Sequence, residues 1–167
     1  MGFKEINIKD LKENLVSLIS DEWTLITAGN QDKFNMMTAS WGGFGEMWNK
    51  EVVSVVIRPQ RYTKEFIDNE DYFTLTFFGD NKDVHKICGS KSGREVDKQK
   101  ETGLTPVFAD NSVYFEQARL VVVCKKVYCQ RIEPECFVEK SYIEQYYPEN
   151  DFHYNYVGEI EKVLIKE

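Results

Sequence analysis

The chain has 167 residues, of which 42% are hydrophobic and 29% charged, and this balance indicates an ordered globular protein rather than a disordered or fibrous one. Its length fits a single domain over residues 1–167. Lys and Arg total 21 against 28 Asp and Glu, and the formal charge of −7 disfavours nucleic acid as a partner. No apolar run approaches the roughly 20 residues that cross a bilayer, and the N-terminal residues lack the apolar core of a signal peptide. We therefore expect a cytoplasmic protein with no membrane partner and with free thiols at its four cysteines.

The first half of the chain predicts one helix followed by short strands. Apolar residues at helical spacing predict an amphipathic helix over residues 10–20, with Asp10 and Glu13 resembling a capping box. Runs rich in β-branched and aromatic residues then predict strands at 23–28, 36–41, 52–57 and 72–78. A short crossover helix is predicted over 62–71, and a shallowly packed helical segment over 80–103.

The second half returns to strands, which decides the fold class. Strands are predicted at 105–109, 112–116, 118–132 and 154–167, and a short helix at 137–147. Few helices and no regular βαβ alternation favour a mainly β protein with a closed or partly closed antiparallel barrel. A doubly wound sheet is the weaker interpretation.

The segment NMMTASWGGFG combines hydroxyls, an aromatic residue and glycines at the end of a predicted strand. Thr38 and Ser40 offer hydrogen bonds, Trp41 offers an aromatic wall, and the glycines allow a close approach of the backbone. This combination suits a phosphorylated aromatic ligand. An ordinary strand followed by a glycine turn accounts for the same residues.

The segment IRPQRYT places two arginines beside a predicted helix start. Pro59 ends the strand between Arg58 and Arg61, and Thr63 lies where free helix N–H groups favour an anion. Because arginine binds phosphate with paired hydrogen bonds, a phosphate dianion fits this position. The alternative is a solvated pair of surface charges.

A third segment, CGSKSGREVDK, has the composition of a loop that binds phosphate, with glycines, serines, Lys91, Arg94 and Lys98. It lacks the spacing of a P-loop, so the hydrolysis of nucleoside triphosphates is not supported. A flexible solvated loop is the alternative.

The cysteines and histidines give weaker signals. Cys124, Cys129 and Cys136 contain no Cys-x-x-Cys pair, which disfavours a zinc site. His85 is expected to be solvated on the polar face of a short helix. His153 precedes the last strand, where binding loops gather, and is the stronger functional candidate.

The order of these segments resembles the flavin reductase-like family of FMN-binding split barrels. The residues that carry the resemblance are TASWGG, RPQRYT, YFTLTFF and GSKSGREVDK, with support from LVVVCKKVY and HYNYVGEI. The resemblance covers the chain from Trp23 to Val163.

The resemblance implies a fold, an activity and a set of site residues. The fold is a six-stranded antiparallel split β-barrel with short peripheral helices, in a homodimer with FMN near the subunit interface. The activity is the reduction of flavin at N5 by hydride from NAD(P)H. The implied FMN-binding residues are Met37, Thr38, Ala39, Ser40, Trp41, Arg58, Pro59, Arg61, Tyr62, Thr63, Ser90, Lys91, Ser92 and Arg94.

His153 is the implied contact to nicotinamide, and here the sequence departs from the family. Many reductases of the family have an acidic residue directly before this histidine, whereas Phe152 separates Asp151 from His153. An FMN-holding electron-transfer protein without its own NAD(P)H activity is therefore the alternative, with a redox partner protein left open. A barrel that has lost its flavin, with the arginines as surface charge, is a third hypothesis.

Overall fold

The computed structural model describes residues 2–167, which contain ten β-strands, five short α-helices and three further helical turns at Ile8–Asp10, Leu18–Glu22 and Pro134–Cys136. The strands are β1 (Phe3–Ile6), β2 (Thr24–Gly29), β3 (Phe34–Ala39), β4 (Gly42–Met47), β5 (Lys50–Ile57), β6 (Tyr72–Phe77), β7 (Pro106–Ala109), β8 (Ser112–Phe115), β9 (Leu120–Arg131) and β10 (Tyr154–Lys166). The α-helices are α1 (Leu15–Ser17), α2 (Thr63–Asn69), α3 (Lys82–Ser90), α4 (Lys98–Thr102) and α5 (Ser141–Tyr146). None of the helices within residues 2–167 is long and apolar enough to cross a membrane.

The main sheet is antiparallel and must curl into a barrel. Its strands follow the order β3-β2-β6-β9-β10-β5-β4, and β1 adds to β10 outside this path. Seven flat strands would hold the edge strands β3 and β4 about 29 Å apart. Only Ser40 and Trp41 join these edges, and the connection can span no more than about 11 Å. The two edges therefore meet at this corner, and the predicted mainly β barrel is confirmed with more strands than the expected six.

Two apolar cores lie on opposite faces of this sheet. Alternate residues of β2, β3, β5, β6, β9 and β10 fill the barrel interior, where Phe73, Leu75 and Tyr156 are fully buried. The outer core packs α3 and the β7–β8 hairpin against the other face, around Phe115 and Val121. The rigid barrel holds the strand ends at the open corner in place.

The sequence predictions fail at a few local points. The N-terminal helix does not begin at Asp10, because the Asn14 side chain accepts hydrogen bonds from Val16 N and Ser17 N and starts a shorter helix there. The segment 80–103 is two helices with an irregular turn between them. Strands β1 and β4 were not predicted, since a four-residue strand and a glycine-rich run carry little β signal.

Candidate functional site

A cleft of about 270 Å³ opens at the corner where the barrel edges meet. It is lined by Met37, Thr38, Ala39, Ser40, Trp41, Val56, Arg58 and His153. Strand pairing explains why the last two are neighbours, because Tyr154 of β10 pairs with Ile57 of β5. The cleft therefore unites the first predicted segment with one arginine of the second and with His153.

Gly42 makes the sharp corner possible. Its φ is +139°, and a Cβ at this position would lie only 2.3 Å from the Ser54 carbonyl oxygen. Only glycine adopts this backbone conformation without strain. Gly42 therefore lets β4 leave Trp41 and pair at once with β5.

The two hydroxyls of the first segment have different environments. Thr38 Oγ1 donates to the His85 carbonyl at 3.0 Å and lies 3.3 Å from His85 Nδ1, so it is tied to α3. The exposed Ser40 side chain makes no hydrogen bond to any of residues 2–167. Ser40, beside the 44% exposed Trp41, is therefore free to bind a ligand.

His85 is buried, which corrects the expectation that it is solvated. It is 2% exposed, and its ring lies 6.0 Å from the rings of both Trp23 and Phe78. Burial and the charge of Lys82 lower the pKa of His85 to about 4. The ring is therefore neutral at pH 7 and supports Thr38 from below the cleft.

Arg58 is committed to contacts with the chain segment before β10. Its Nη1 pairs with Asp151 Oδ2 at 2.8 Å, and its Nη2 donates to the Tyr146 carbonyl at 3.0 Å. The Gln60 side chain and Arg58 together hold the pKa of Asp151 below its usual range. This ion pair neutralises the charge of Arg58 and leaves little of it for an anion.

Arg61 has no such partner. Its Nη1 donates to the Gly89 carbonyl at 3.3 Å, and no carboxylate of residues 2–167 lies within ion-pair distance. Burial lowers the pKa of Arg61, but a guanidinium stays charged in proteins. A partly desolvated cation with most of its five N–H donors unused fits an anionic group.

The other members of the RPQRYT segment support the turn between β5 and α2. Thr63 is fully buried, and its Oγ1 accepts a hydrogen bond from Asn35 Nδ2 at 2.9 Å. Lys64 N and Glu65 N donate to carbonyls of the preceding turn at 3.0 and 3.1 Å. Pro59 and Tyr62 lie in this turn. The Thr63 hydroxyl is bound to Asn35.

The third segment packs on the second. Arg94 donates to the Gln60 carbonyl at 3.2 Å, pairs with Glu65 and lies 4.6 Å from the Tyr62 ring. Lys91 pairs with Glu101 at 2.6 Å, and Ser90 Oγ donates to the Lys86 carbonyl. Ser92 Oγ accepts from Arg94 N at 3.2 Å. Because the pairs of Lys91 and Arg94 are exposed, they are weak enough to be exchanged for a ligand.

His153 is 8% exposed and lines the cleft together with the first segment. Its Nδ1 lies 2.8 Å from the Tyr147 hydroxyl, and its ring centroid lies 5.3 Å from that of Trp41. Burial and the charge of Arg58 lower the pKa of His153 to about 4. The imidazole is therefore neutral at pH 7.

Sequence reasoning missed Tyr147, and it named Asp151 and Lys98 without the contacts that the structure gives them. Tyr147 and Asp151 come from the excursion between β9 and β10, where the YYPEN turn signal includes Tyr147 and Asp151 directly follows it. Lys98 lines a neighbouring cavity of about 390 Å³ and donates to the Met36 and Cys88 carbonyls at 2.8 and 2.9 Å. Burial lowers the pKa of Lys98 to about 8.

Comparisons with known proteins identify the family. The model of the flavin reductase like domain matches residues 16–165. Flavoredoxin from Methanosarcina acetivorans is 21% identical with a TM-score of 0.67, and the match covers 97% of this chain and 74% of that one. An FMN-binding domain of a flavin reductase-like enzyme from Shewanella baltica is 16% identical with a TM-score of 0.69, covering 98% and 77%.

A more distant match is the NADH:FAD oxidoreductase SgcE6 of Streptomyces globisporus, 11% identical with a TM-score of 0.66, covering 87% and 75% of the two chains. None of the curated proteins compared with the sequence matches it. At these identities the solved structures show a shared fold, whereas the family model spans nearly the whole chain. The chain therefore belongs to the flavin reductase-like family.

Proposed function

We propose that the protein is an FMN-dependent oxidoreductase that uses NAD(P)H to reduce flavin. The observation that carries the proposal is Arg61, a partly buried guanidinium without a counter-charge among residues 2–167. It contacts Gly89 at the end of α3, and Gly89 lies against Thr38 of the cleft that offers Trp41 and the free Ser40 hydroxyl. A phosphate and a planar ring system fit these groups.

FMN would contribute the redox chemistry, accepting at N5 a hydride from the nicotinamide C4. The residues of the chain would bind the flavin and orient it. Arg61 would bind the phosphate, and Ser40 with the unpaired backbone edge of β3 would donate to polar atoms of the ring. Trp41 would exclude water from one side of the cleft, and the neutral His153 would offer a hydrogen bond from the other. No side chain needs to act as an acid or a base.

Two of the structurally similar proteins support the choice of cofactors for this chain. The Shewanella baltica protein is described as FMN-binding, and the Streptomyces globisporus protein as an NADH:FAD oxidoreductase. We propose FMN as the flavin because Arg61 is the arginine of the RPQRYT segment without a carboxylate partner among residues 2–167, and one such cation suits one terminal phosphate.

We also propose that the protein is a homodimer. Met47 and Trp48 in the β4–β5 hairpin are 46% and 59% exposed, and Trp48 lies 6.4 Å from the 43% exposed Tyr128. Contiguous exposed aromatic residues are typical of protein interfaces. Light scattering coupled to gel filtration tests this proposal, and a monomeric mass would contradict it.

The proposed activity is tested with the purified protein. We expect an oxidised-flavin absorbance spectrum, or its appearance after incubation with FMN and desalting. We expect anaerobic NADH or NADPH to bleach that absorbance, and added free FMN to sustain NAD(P)H oxidation.

The alternatives give different results in the same assay. A yellow protein that NAD(P)H does not bleach would be the FMN-holding electron-transfer protein. A protein that stays colourless after incubation with FMN would contradict flavin binding altogether.

A further inference from the structure

We infer that Tyr147 is a positioning residue that holds His153 in the tautomer with its proton on Nε2, so that His153 offers a fixed neutral N–H donor to the cleft. The tautomer assignment rests on the hydrogen bond between the two side chains and on their burial, and it does not depend on the proposed function. Its consequence for turnover rests on the proposed function.

Tyr147 is held rigidly beside His153. It follows α5, is 6% exposed and stacks on Phe152, with ring centroids 4.6 Å apart and an interplanar angle of 21°. The Arg58 guanidinium covers its ring at 5.1 Å. With these contacts on both sides, the hydroxyl is fixed at 2.8 Å from His153 Nδ1.

The hydrogen-bond partners of Tyr147 and His153 assign the tautomer. Within residues 2–167, His153 Nδ1 is the one acceptor in reach of the Tyr147 hydroxyl. Burial raises the pKa of Tyr147, so the phenol keeps its proton and must donate it. Nδ1 is therefore the acceptor, and a neutral imidazole with an acceptor at Nδ1 carries its proton on Nε2.

The charged groups around His153 keep the ring neutral. Arg58, directly after β5, opposes protonation of His153, whereas Asp151 favours it. Because Arg58 and Asp151 form an ion pair at 2.8 Å, their effects on His153 act against each other. Gln60 binds the same carboxylate and carries no charge. Burial then decides the outcome, and the ring stays neutral across the physiological range.

The tautomer defines the chemistry that His153 can serve. A neutral Nε2–H donor in a cleft binds an acceptor, such as a carbonyl or carboxamide oxygen, without adding a full charge. Because its direction is set by the fixed ring, the donor requires little reorganisation when negative charge develops on the bound group. The departure at Phe152 is then functional, since this residue supplies the surface on which Tyr147 stacks.

The test is the ¹⁵N spectrum of the two histidines in the flavin-free protein. We expect the His153 signals to show a protonated Nε2 and an Nδ1 that accepts a hydrogen bond. The signals of His85, the other histidine, serve as the reference that Tyr147→Phe should leave unchanged. Tyr147→Phe keeps the ring but removes the donor. A buried hydrogen bond contributes roughly 1 kcal/mol, so the tautomer ratio should move about five-fold toward Nδ1–H.

The matched control is Tyr142→Phe on α5, the helix that Tyr147 follows; the Tyr142 ring is 51% exposed and its hydroxyl makes no hydrogen bond within residues 2–167. We expect this variant to leave both histidine spectra unchanged. An Nδ1–H signal for His153 in the unsubstituted protein, or identical spectra in Tyr147→Phe, would overturn the inference.

A second readout separates this inference from the proposed function. In the FMN-loaded protein, Tyr147→Phe should lower kcat about three- to ten-fold and leave the Kd of FMN unchanged. The pKa of His153 should rise because its neutral form loses a hydrogen bond. If NAD(P)H oxidation is absent in every variant, the proposed function fails while the tautomer assignment keeps its own test.

Discussion

Replacing Arg61 with alanine tests whether its unpaired guanidinium binds the phosphate of FMN. Loss of a charge partner from a desolvated pair costs on the order of 2 to 5 kcal/mol. Because Arg61 is only partly buried, we take the lower end, about 2 to 3 kcal/mol, which weakens the Kd of FMN about 30- to 150-fold. Quenching of flavin fluorescence during titration of the apoprotein measures this constant.

Riboflavin, which lacks the phosphate, distinguishes the charge effect from a general disturbance of the cleft. We expect Arg61→Ala to change riboflavin binding less than about three-fold. Lys86→Ala is the matched control, because Lys86 is an exposed cation of α3 already paired with Asp83 at 3.0 Å. An FMN constant within about three-fold of the unsubstituted protein, or an equal loss for riboflavin, would refute the assignment.

Two further predictions concern stability. Gly42→Ala should lower the free energy of unfolding by about 2 to 4 kcal/mol, because its Cβ would lie 2.3 Å from Ser54 O at a φ of +139°. Gly43→Ala meets nothing within 4 Å and should change the urea midpoint little, so equal midpoints for the two variants would contradict the corner geometry. Burial lowers the pKa of His85 and of His153 to about 4, whereas an unfolded histidine titrates near about 6.5. The unfolded chain then binds more protons between these pH values, so Tm should rise from pH 5 to 7; a flat profile would contradict the burial of both rings.

The strands that the sequence predicted are those whose signal is local. The runs VVSVVI and YFTLTFF are rich in β-branched and aromatic residues and form β5 and β6 close to their expected bounds. Strand β4 carries glycine at three of its first four positions and has no such signal. Its order comes from pairing with β5, and that partner cannot be recognised from the composition of the segment.

The segments of the site were predictable, but the separate roles of their side chains were not. Thr38 and Thr63 have hydroxyls that suit a ligand, yet each is bound within the protein, to His85 and Asn35. These partners lie 47 and 28 residues away in the sequence. A single sequence shows which groups can form hydrogen bonds, whereas tertiary contacts decide which of them remain free.

The two arginines of RPQRYT illustrate how the fold divides equivalent residues. Arg58 directly follows β5 beside the start of β10, so its guanidinium meets Asp151 and fixes the excursion that carries Tyr147. Pro59 then turns the chain, and Arg61 contacts the Gly89 carbonyl of α3 instead. One arginine is thereby neutralised and stabilises a wall of the cleft, while the other keeps its charge. Removal of Arg58 would leave the Asp151 carboxylate without its ion-pair partner, so we expect it to disturb the position of His153 in the cleft. Removal of Arg61 should instead weaken the binding of the anion itself.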